Sequence, residues 1–156
     1  MNFVLRAMRE SEQVEVAQLH HDTWHETHAH LQDPRIARCR GLPFFTTRAA
    51  ERWPHSLVAQ SGNRLVGFSS WTKAHFNSLF LAPSFRSSGI GTALLRATEA
   101  QMENRAAHPF DLFCIYGNDA GRRFYERHGW RVDHESQRPT ETREGEALVR
   151  TWVMTK

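Results

Sequence analysis

Of the 156 residues in this chain, the stretch Leu79-Phe-Leu-Ala-Pro-Ser-Phe-Arg-Ser-Ser-Gly-Ile-Gly-Thr-Ala-Leu-Leu95 carries the clearest chemical signal. An apolar strand pattern stops at Pro83, and apolar residues at helical spacing begin at Ile90. Ser88, Gly89, Ile90, Gly91 and Thr92 therefore fall in the first turn of a helix. Backbone N–H groups there have no intrahelical partner and sit at the positive end of the helix dipole, an arrangement that binds anions. Gly89 and Gly91 lack a Cβ, so a pyrophosphate could come close to the backbone. Arg86 adds a fixed positive charge. Two familiar phosphate loops are excluded. A dinucleotide fingerprint needs glycine or alanine three residues after Gly91, where Leu94 stands. A nucleotide-triphosphate loop needs a lysine that is absent.

Other residue types could also do chemistry. His20, His21, His25, His28 and His30 crowd one segment, and His21, His25 and His28 have a spacing that could converge on a metal. His21 and His28 also share a helical stripe with Val14, Ala17, Trp24 and Leu31, which favours packing or ligand-lining histidines, and no metal is expected. Cys114 sits between Phe113 and Ile115 and reads as a small buried hydrophobe rather than a nucleophile. Phe124 and Tyr125 read as core aromatics on a helix, with the phenol hydroxyl reaching solvent.

The elements that position these groups follow from hydrophobic period and turn chemistry. Phe3–Met8 reads as a strand. A helix capped by Ser11 runs to about His30, and an irregular helical stretch lies between Pro34 and Trp53. Strands are expected at Ser56–Gln60 and Arg64–Thr72, joined by the turn Ser61-Gly62-Asn63, and at His75–Leu81. A helix spans Gly89 to about Asn104. A buried strand follows at Asp111–Tyr116, and a helix at Asn118–His128 closes on Gly129. Trp130–His134 and Ala147–Met154 form a last strand pair joined by a long exposed loop, Ser136–Glu146. This order points to an α+β fold on one sheet, organised as a single domain over residues 1–156.

Arg86-Ser-Ser-Gly-Ile-Gly91 resembles the pyrophosphate signature Q/R-x-x-G-x-G/A of the GNAT superfamily of N-acetyltransferases. Leu81-Ala-Pro83 is similar to the strand end that precedes that signature. Asn118-Asp-Ala-Gly-Arg-Arg-Phe-Tyr-Glu-Arg-His-Gly-Trp130 resembles the N-x-x-A-x-x-F-Y-x-x-x-G-F/W segment of the same family. Both motifs stand in the family's order, and the likeness covers nearly the whole chain. Ser87 stands where the family often has glycine.

The resemblance implies a mixed, mostly antiparallel sheet flanked by helices and splayed between the fourth and fifth strands. It implies acetyl-CoA as co-substrate and an amine, expected to be a small molecule, as acceptor. A protein or peptide acceptor, or a non-enzymatic acyl-CoA-binding module, are the alternatives. Carried over, Phe80 and Leu81 offer backbone contacts to the pantetheine arm, Arg86 through Thr92 hold the pyrophosphate, and Asn118 touches the arm near its thiol. The Leu81 N–H is the candidate oxyanion donor and Tyr125 the candidate acid for the departing thiolate. An alkyl ammonium holds its proton to ~10.4, so attack needs a base or a water chain. The family often has a carboxylate on the strand before the loop; here His75 is the nearest titratable side chain and takes that role. Trp24, His28, Leu31 and the segment Ser136–Glu146 are expected to shape the acceptor pocket.

Composition fits this reading. The net charge is +3, and 17 acidic residues interleave with 20 basic ones, so no basic stripe for nucleic acid is evident. No run is long and apolar enough to span a bilayer. Cys39 and Cys114 are too far apart in sequence to suggest a disulfide framework, which suits a reducing cytoplasm. A homodimer is compatible with the family.

Overall fold

The computed structural model describes residues 2–156. Its seven strands are β1 (Val4–Ala7), β2 (Ser56–Ser61), β3 (Arg64–Thr72), β4 (His75–Leu81), β5 (Asp111–Ile115), β6 (Arg131–Thr142) and β7 (Gly145–Thr155). They form one sheet in the order β1-β2-β3-β4-β5-β7-β6. Every pairing is antiparallel except β4–β5. The α-helices are α1 (Gln13–Thr27), α2 (Pro34–Arg38), α3 (Leu42–Arg52), α4 (Ile90–Glu103) and α5 (Asp119–Arg127). None is long and apolar enough to cross a membrane.

Two apolar clusters flank the sheet. Ile90, Leu94, Leu95 and Met102 of α4 pack with Phe76, Leu112, Trp130 and Met154, and Phe124 and Tyr125 of α5 lean on this cluster. Val16, Ala17 and Trp24 of α1 pack with Phe45 and Ala49 of α3 on Val58 and Phe68. Each helix thus buries a stripe at steps of three and four, as an amphipathic helix must.

Expectations for two segments are corrected, the first being α1 and the turn that leads into it. Ser11 lies in a 3₁₀ turn, Glu10–Glu12, and caps nothing; instead Glu12 accepts the Arg9 N–H at 2.8 Å and ion-pairs with Arg6 at 2.5 Å. The buried face of α1 is also rotated: Val16, Ala17, His20, Thr23 and Trp24 are inside, while Val14 is 73% exposed. Small residues on the true face let the helix close on the sheet, and the Thr23 hydroxyl is satisfied by Leu19 O at 2.6 Å.

The second correction concerns Ser136–Glu146, which is no loop. β6 and β7 pair continuously from Ser136–Thr151 to Thr142–Gly145, and the turn closes on Gly145 at φ +105°. Ladder hydrogen bonds need no apolar side chains, and the outward residues of an edge hairpin are polar. The missing hydrophobic alternation hid the strands. The hairpin tip is tied to α2 by a two-point Arg38–Glu144 bridge at 2.6 and 2.7 Å, and the Arg143 N–H donates to Cys39 Sγ.

His20 is only 8% exposed, among the rings of Phe45, Phe68 and Phe80. Burial, with Arg52 nearby, pushes its imidazole from the ordinary 6.5 down to about 3. Between those values the unfolded chain binds a proton that the folded chain refuses, so stability rises with pH across that window. Unfolding in urea should therefore become easier as pH falls from 6.5, by at most ~1.4 kcal/mol per unit from this group. His20→Leu should flatten that slope; an unchanged pH profile would rule the buried imidazole out as its source.

Candidate active site

β4 and β5 pair at only two positions, His75–Asp111 and Phe76–Leu112. Immediately beyond them the β3–β4 register slips, and Asn77 is the extra residue on β4. A bulge bends its strand and ends local pairing. From Asn77 onward β4 diverges from β5 and leaves a wedge-shaped gap.

The register decides which backbone groups face that gap. Ala82 N–H donates to Val66 O at 2.8 Å, and pairing runs unbroken from Gly67–Leu81 to Ser70–Ser78. Antiparallel ladders alternate, so Phe80 and Ser78 bond to β3, whereas Leu79 and Leu81 turn their N–H and C=O toward the gap. The Phe80 backbone, expected to face the pantetheine arm, is thus bonded to β3, and the Leu79 backbone faces the gap instead. The Phe80 ring instead meets the imidazoles of His20 and His28, at 4.7 and 5.1 Å between centroids.

At one end of the gap, α4 begins. Gly89 is its N-cap at φ +86° with nothing within 4 Å of a built Cβ. The first intrahelical bond is Ala93 N–H to Gly89 O at 3.1 Å. Among the described residues, the N–H groups of Gly89, Ile90, Gly91 and Thr92 have no partner. A Cβ on Gly91 would make ordinary contacts with Leu81 at 3.4 Å and Phe124 at 3.6 Å, so β4, α4 and α5 meet here with room for a small side chain at most. Open space, unspent donors and a helix dipole together fit a pyrophosphate. Ser88 and Thr92 commit their hydroxyls elsewhere, to Phe85 O and to His128 Nε2, and offer only backbone. Arg86 is engaged too: it pairs with Glu26 at 2.6 Å and donates to Leu81 O at 3.1 Å. Such an exposed pair is weak and exchangeable.

Running into the gap is a cavity of about 380 Å³. Trp24 from α1, His28 at its C-terminal cap, His75 and Phe80 from β4, and Tyr125 from α5 line it together. Leu31 does not; it packs beside Gly117. The hairpin contributes Arg138, Pro139 and Thr140.

His75 Nδ1 lies 2.7 Å from Asp111 Oδ1. A carboxylate only accepts, so Nδ1 carries the proton and Nε2 of the neutral ring is left to accept. Asp111 was invisible as a partner, because only the parallel pairing of β4 with β5 brings it there. Burial pushes the Tyr125 phenol above its ordinary range, so it stays protonated at neutral pH. Burial likewise pushes the Cys114 thiol up to about 12, and a thiol that holds its proton is a poor nucleophile. Burial brings His28 down to about 4. Among the described residues no three His, Cys, Asp or Glu side chains form a metal-binding group. His21 instead meets Asp22, and His25 meets Arg40 O.

Asn118 caps α5 by accepting the Gly121 N–H at 3.1 Å. Gly121 occupies the alanine position of the motif, a second departure from the family pattern. A Cβ there would collide with the Asn118 amide as it is placed here, so glycine and cap go together. The cap fixes the start of the helix that carries Tyr125.

The Acetyltransferase (GNAT) family model matches residues 7–130. The chain belongs to this family of acetyltransferases. A probable N-acetyltransferase of Mycobacterium tuberculosis is 25% identical over 152 residues, covering 85% of this chain and 82% of the relative. Among solved structures, a GCN5-related N-acetyltransferase of Rhodopseudomonas palustris superposes with a TM-score of 0.76 at 18% identity, covering 100% of this chain and 96% of that one. The PaiA N-acetyltransferase of Thermoplasma acidophilum, in complex with coenzyme A, gives 0.68 at 17% identity, covering 97% and 99%. The chain is accordingly an acetyl-CoA-dependent N-acetyltransferase, with the mixed sheet and splay expected of the family.

Ser87 sits at φ +59°, where a side chain costs about 1–2 kcal/mol. Ser87→Gly should raise the melting temperature by roughly 2–4 °C, without weakening acetyl-CoA. Gly89→Val meets no steric neighbour, but it strains the backbone at φ +86° and puts a branched side chain where the anion approaches, and should abolish acetyl-CoA binding. Calorimetry showing wild-type affinity for Gly89→Val would remove the loop from the phosphate site.

Proposed function

We propose that this acetyltransferase passes the acetyl group to the primary amine of a small molecule by direct attack, within one domain that works in the cytoplasm. The observation that carries this reading is the single cavity in which acceptor-side residues of α1 and β4 meet Tyr125 of α5 at the mouth of the β4–β5 gap. The chain needs no covalent relay, since Cys114 is a protonated, buried thiol outside the cavity lining.

The α4 N–H groups would hold the pyrophosphate of acetyl-CoA, and the backbone of Leu79, with the Leu81 N–H, would align its arm as an added strand once Arg86 releases Leu81 O. Asn118 acts through the helix it caps. The Leu81 N–H, turned into the gap, donates to the thioester oxygen as charge develops there. His75, held by Asp111 with Nε2 free, takes the ammonium proton directly or through water. Tyr125 remains protonated and gives its proton to the departing sulfur. A small acceptor is favoured over a peptide because the β6–β7 hairpin, pinned to α2 through Arg38–Glu144, lines one side of the cavity through Arg138, Pro139 and Thr140.

Incubation with acetyl-CoA and a panel of amines, following free thiol, tests the activity; release with folded peptides or proteins but with no small amine would overturn the small-molecule reading. Tyr125→Phe keeps the ring and removes the hydroxyl. It should lower turnover by about 10²-fold or less, because a thiolate already leaves well, while acetyl-CoA affinity stays within a few-fold. Equal turnover with chemistry rate-limiting would leave Tyr125 as packing only. His75→Gln should lower kcat and change the acid limb of the pH–rate profile, and Asp111→Asn should alter that limb in a milder form. A His75→Gln enzyme with the wild-type rate and profile would assign deprotonation to water alone.

A further inference from the structure

The charges around the acceptor cavity are strongly one-sided. Arg40, Arg48, Arg52 and Arg138 line it, and no aspartate or glutamate does. Arg48 is partly neutralised by Glu51 at 3.3 Å. The other three have no carboxylate partner among the described residues. Arg52 donates to Ser78 Oγ at 2.7 Å. Arg40 lies over the Phe44 ring at 4.0 Å, and Arg138 over the Phe113 ring at 3.8 Å. The nearest carboxylate from β5, Asp111, is taken by His75. None of the residues from Arg86 to Thr92 lines this cavity, so the cluster is separate from the pyrophosphate loop.

Guanidinium groups partly withdrawn from water without an anion are costly to keep, and ring faces compensate only in part. Burial pushes both Arg40 and Arg52 down to about 10, the direction expected of cations that lack counter-charge. A plain ammonium acceptor would be repelled by this lining. An acceptor with its own negative group would be drawn in, and the planar forks of arginine match carboxylate and phosphate oxygens.

We infer that the acceptor is an amine that also carries a carboxylate or a phosphate, held by Arg40, Arg52 and Arg138 while its amino group faces His75. This rests on the acetyltransfer reading above and deepens it. The positive lining has a second effect: nearby cations favour the uncharged form of an amine. The same arginines that seat the anionic end therefore help strip the proton from the other end, on a strand that offers no carboxylate base. The amine nitrogen then attacks the acetyl carbonyl carbon, the C–S bond breaks, and the sulfur leaves with its electron pair to be protonated.

Matched amines test this: O-phosphoethanolamine against ethanolamine, and β-alanine against β-alaninamide, with rates expressed per concentration of unprotonated amine. The anionic member of at least one pair should show kcat/KM at least about tenfold higher, and the two pairs separate phosphate from carboxylate. Arg40→Gln and Arg138→Gln should each raise KM for the anionic amine by about tenfold and lower the anionic-to-neutral ratio of kcat/KM, and Arg138→Lys should recover part of the loss. Equal rates within both pairs, or a ratio insensitive to both Gln variants, would overturn the inference while leaving acetyl transfer intact. Calorimetry with CoA-bound protein separates the two claims. Anion-bearing amines that bind in an Arg40-dependent way yet release no thiol would confirm the anion site and refute acetyl transfer. Absence of binding by both anionic amines would refute the anion site.

Discussion

The structure turns on the brevity of one parallel pairing. Two residue pairs hold β4 to β5, and the bulge at Asn77 prevents a third. A longer ladder would consume the Leu79 and Leu81 backbone and close the sheet. A shorter one would separate His75 from Asp111. With two pairs the sheet stays continuous, the imidazole gains its partner, and a strand's worth of polar backbone is left open inside a protein core. Unpaired buried backbone is unfavourable, so this edge is stable only because the gap admits solvent or a ligand that can satisfy it.

What surrounds the gap follows from that. α4 starts where β4 leaves the sheet, so its unspent N–H groups lie at the end of the opening. α5 follows β5 after a short turn and brings Tyr125 back toward the cavity. The two sides differ in charge: backbone dipoles serve the donor end, whereas side-chain cations dominate the acceptor end. Gly91 marks the point where β4, α4 and α5 converge, with Leu81 and Phe124 at contact distance from a Cβ built there.

The donor half was legible because it is written locally. A strand, a Pro-ended loop and a glycine-opened helix are consecutive in sequence, and their period and turn residues expose them. The second motif, from Asn118 to Trp130, is local in the same way. The acceptor half is not local. His20, Arg40, Arg52, Asp111 and Arg138 come from four separate segments, and only the fold brings them together. The stripe through Val14 points to His21, whereas the packing of α1 on the sheet buries Val16 and His20 instead. The β6–β7 hairpin was missed because an edge pair held by backbone bonds carries little hydrophobic pattern. The backbone strain at Ser87 was also hidden, since nothing in a serine announces a left-handed residue.

The hairpin's attachment to α2 has a consequence for how such a protein can diversify. The elements on the acceptor side, α1 to α3 and the β6–β7 hairpin, lie away from the glycine loop in sequence, and Glu26 of α1, which pairs with Arg86, is the point where they meet it. The Arg38–Glu144 bridge joins two of them without touching the donor half. Substitutions there alter which molecules are admitted and leave the acyl donor's seat untouched. Selection for a new acceptor can therefore act on one set of residues while purifying selection holds the other, and the boundary between the two sets is the line along which β4 and β5 part.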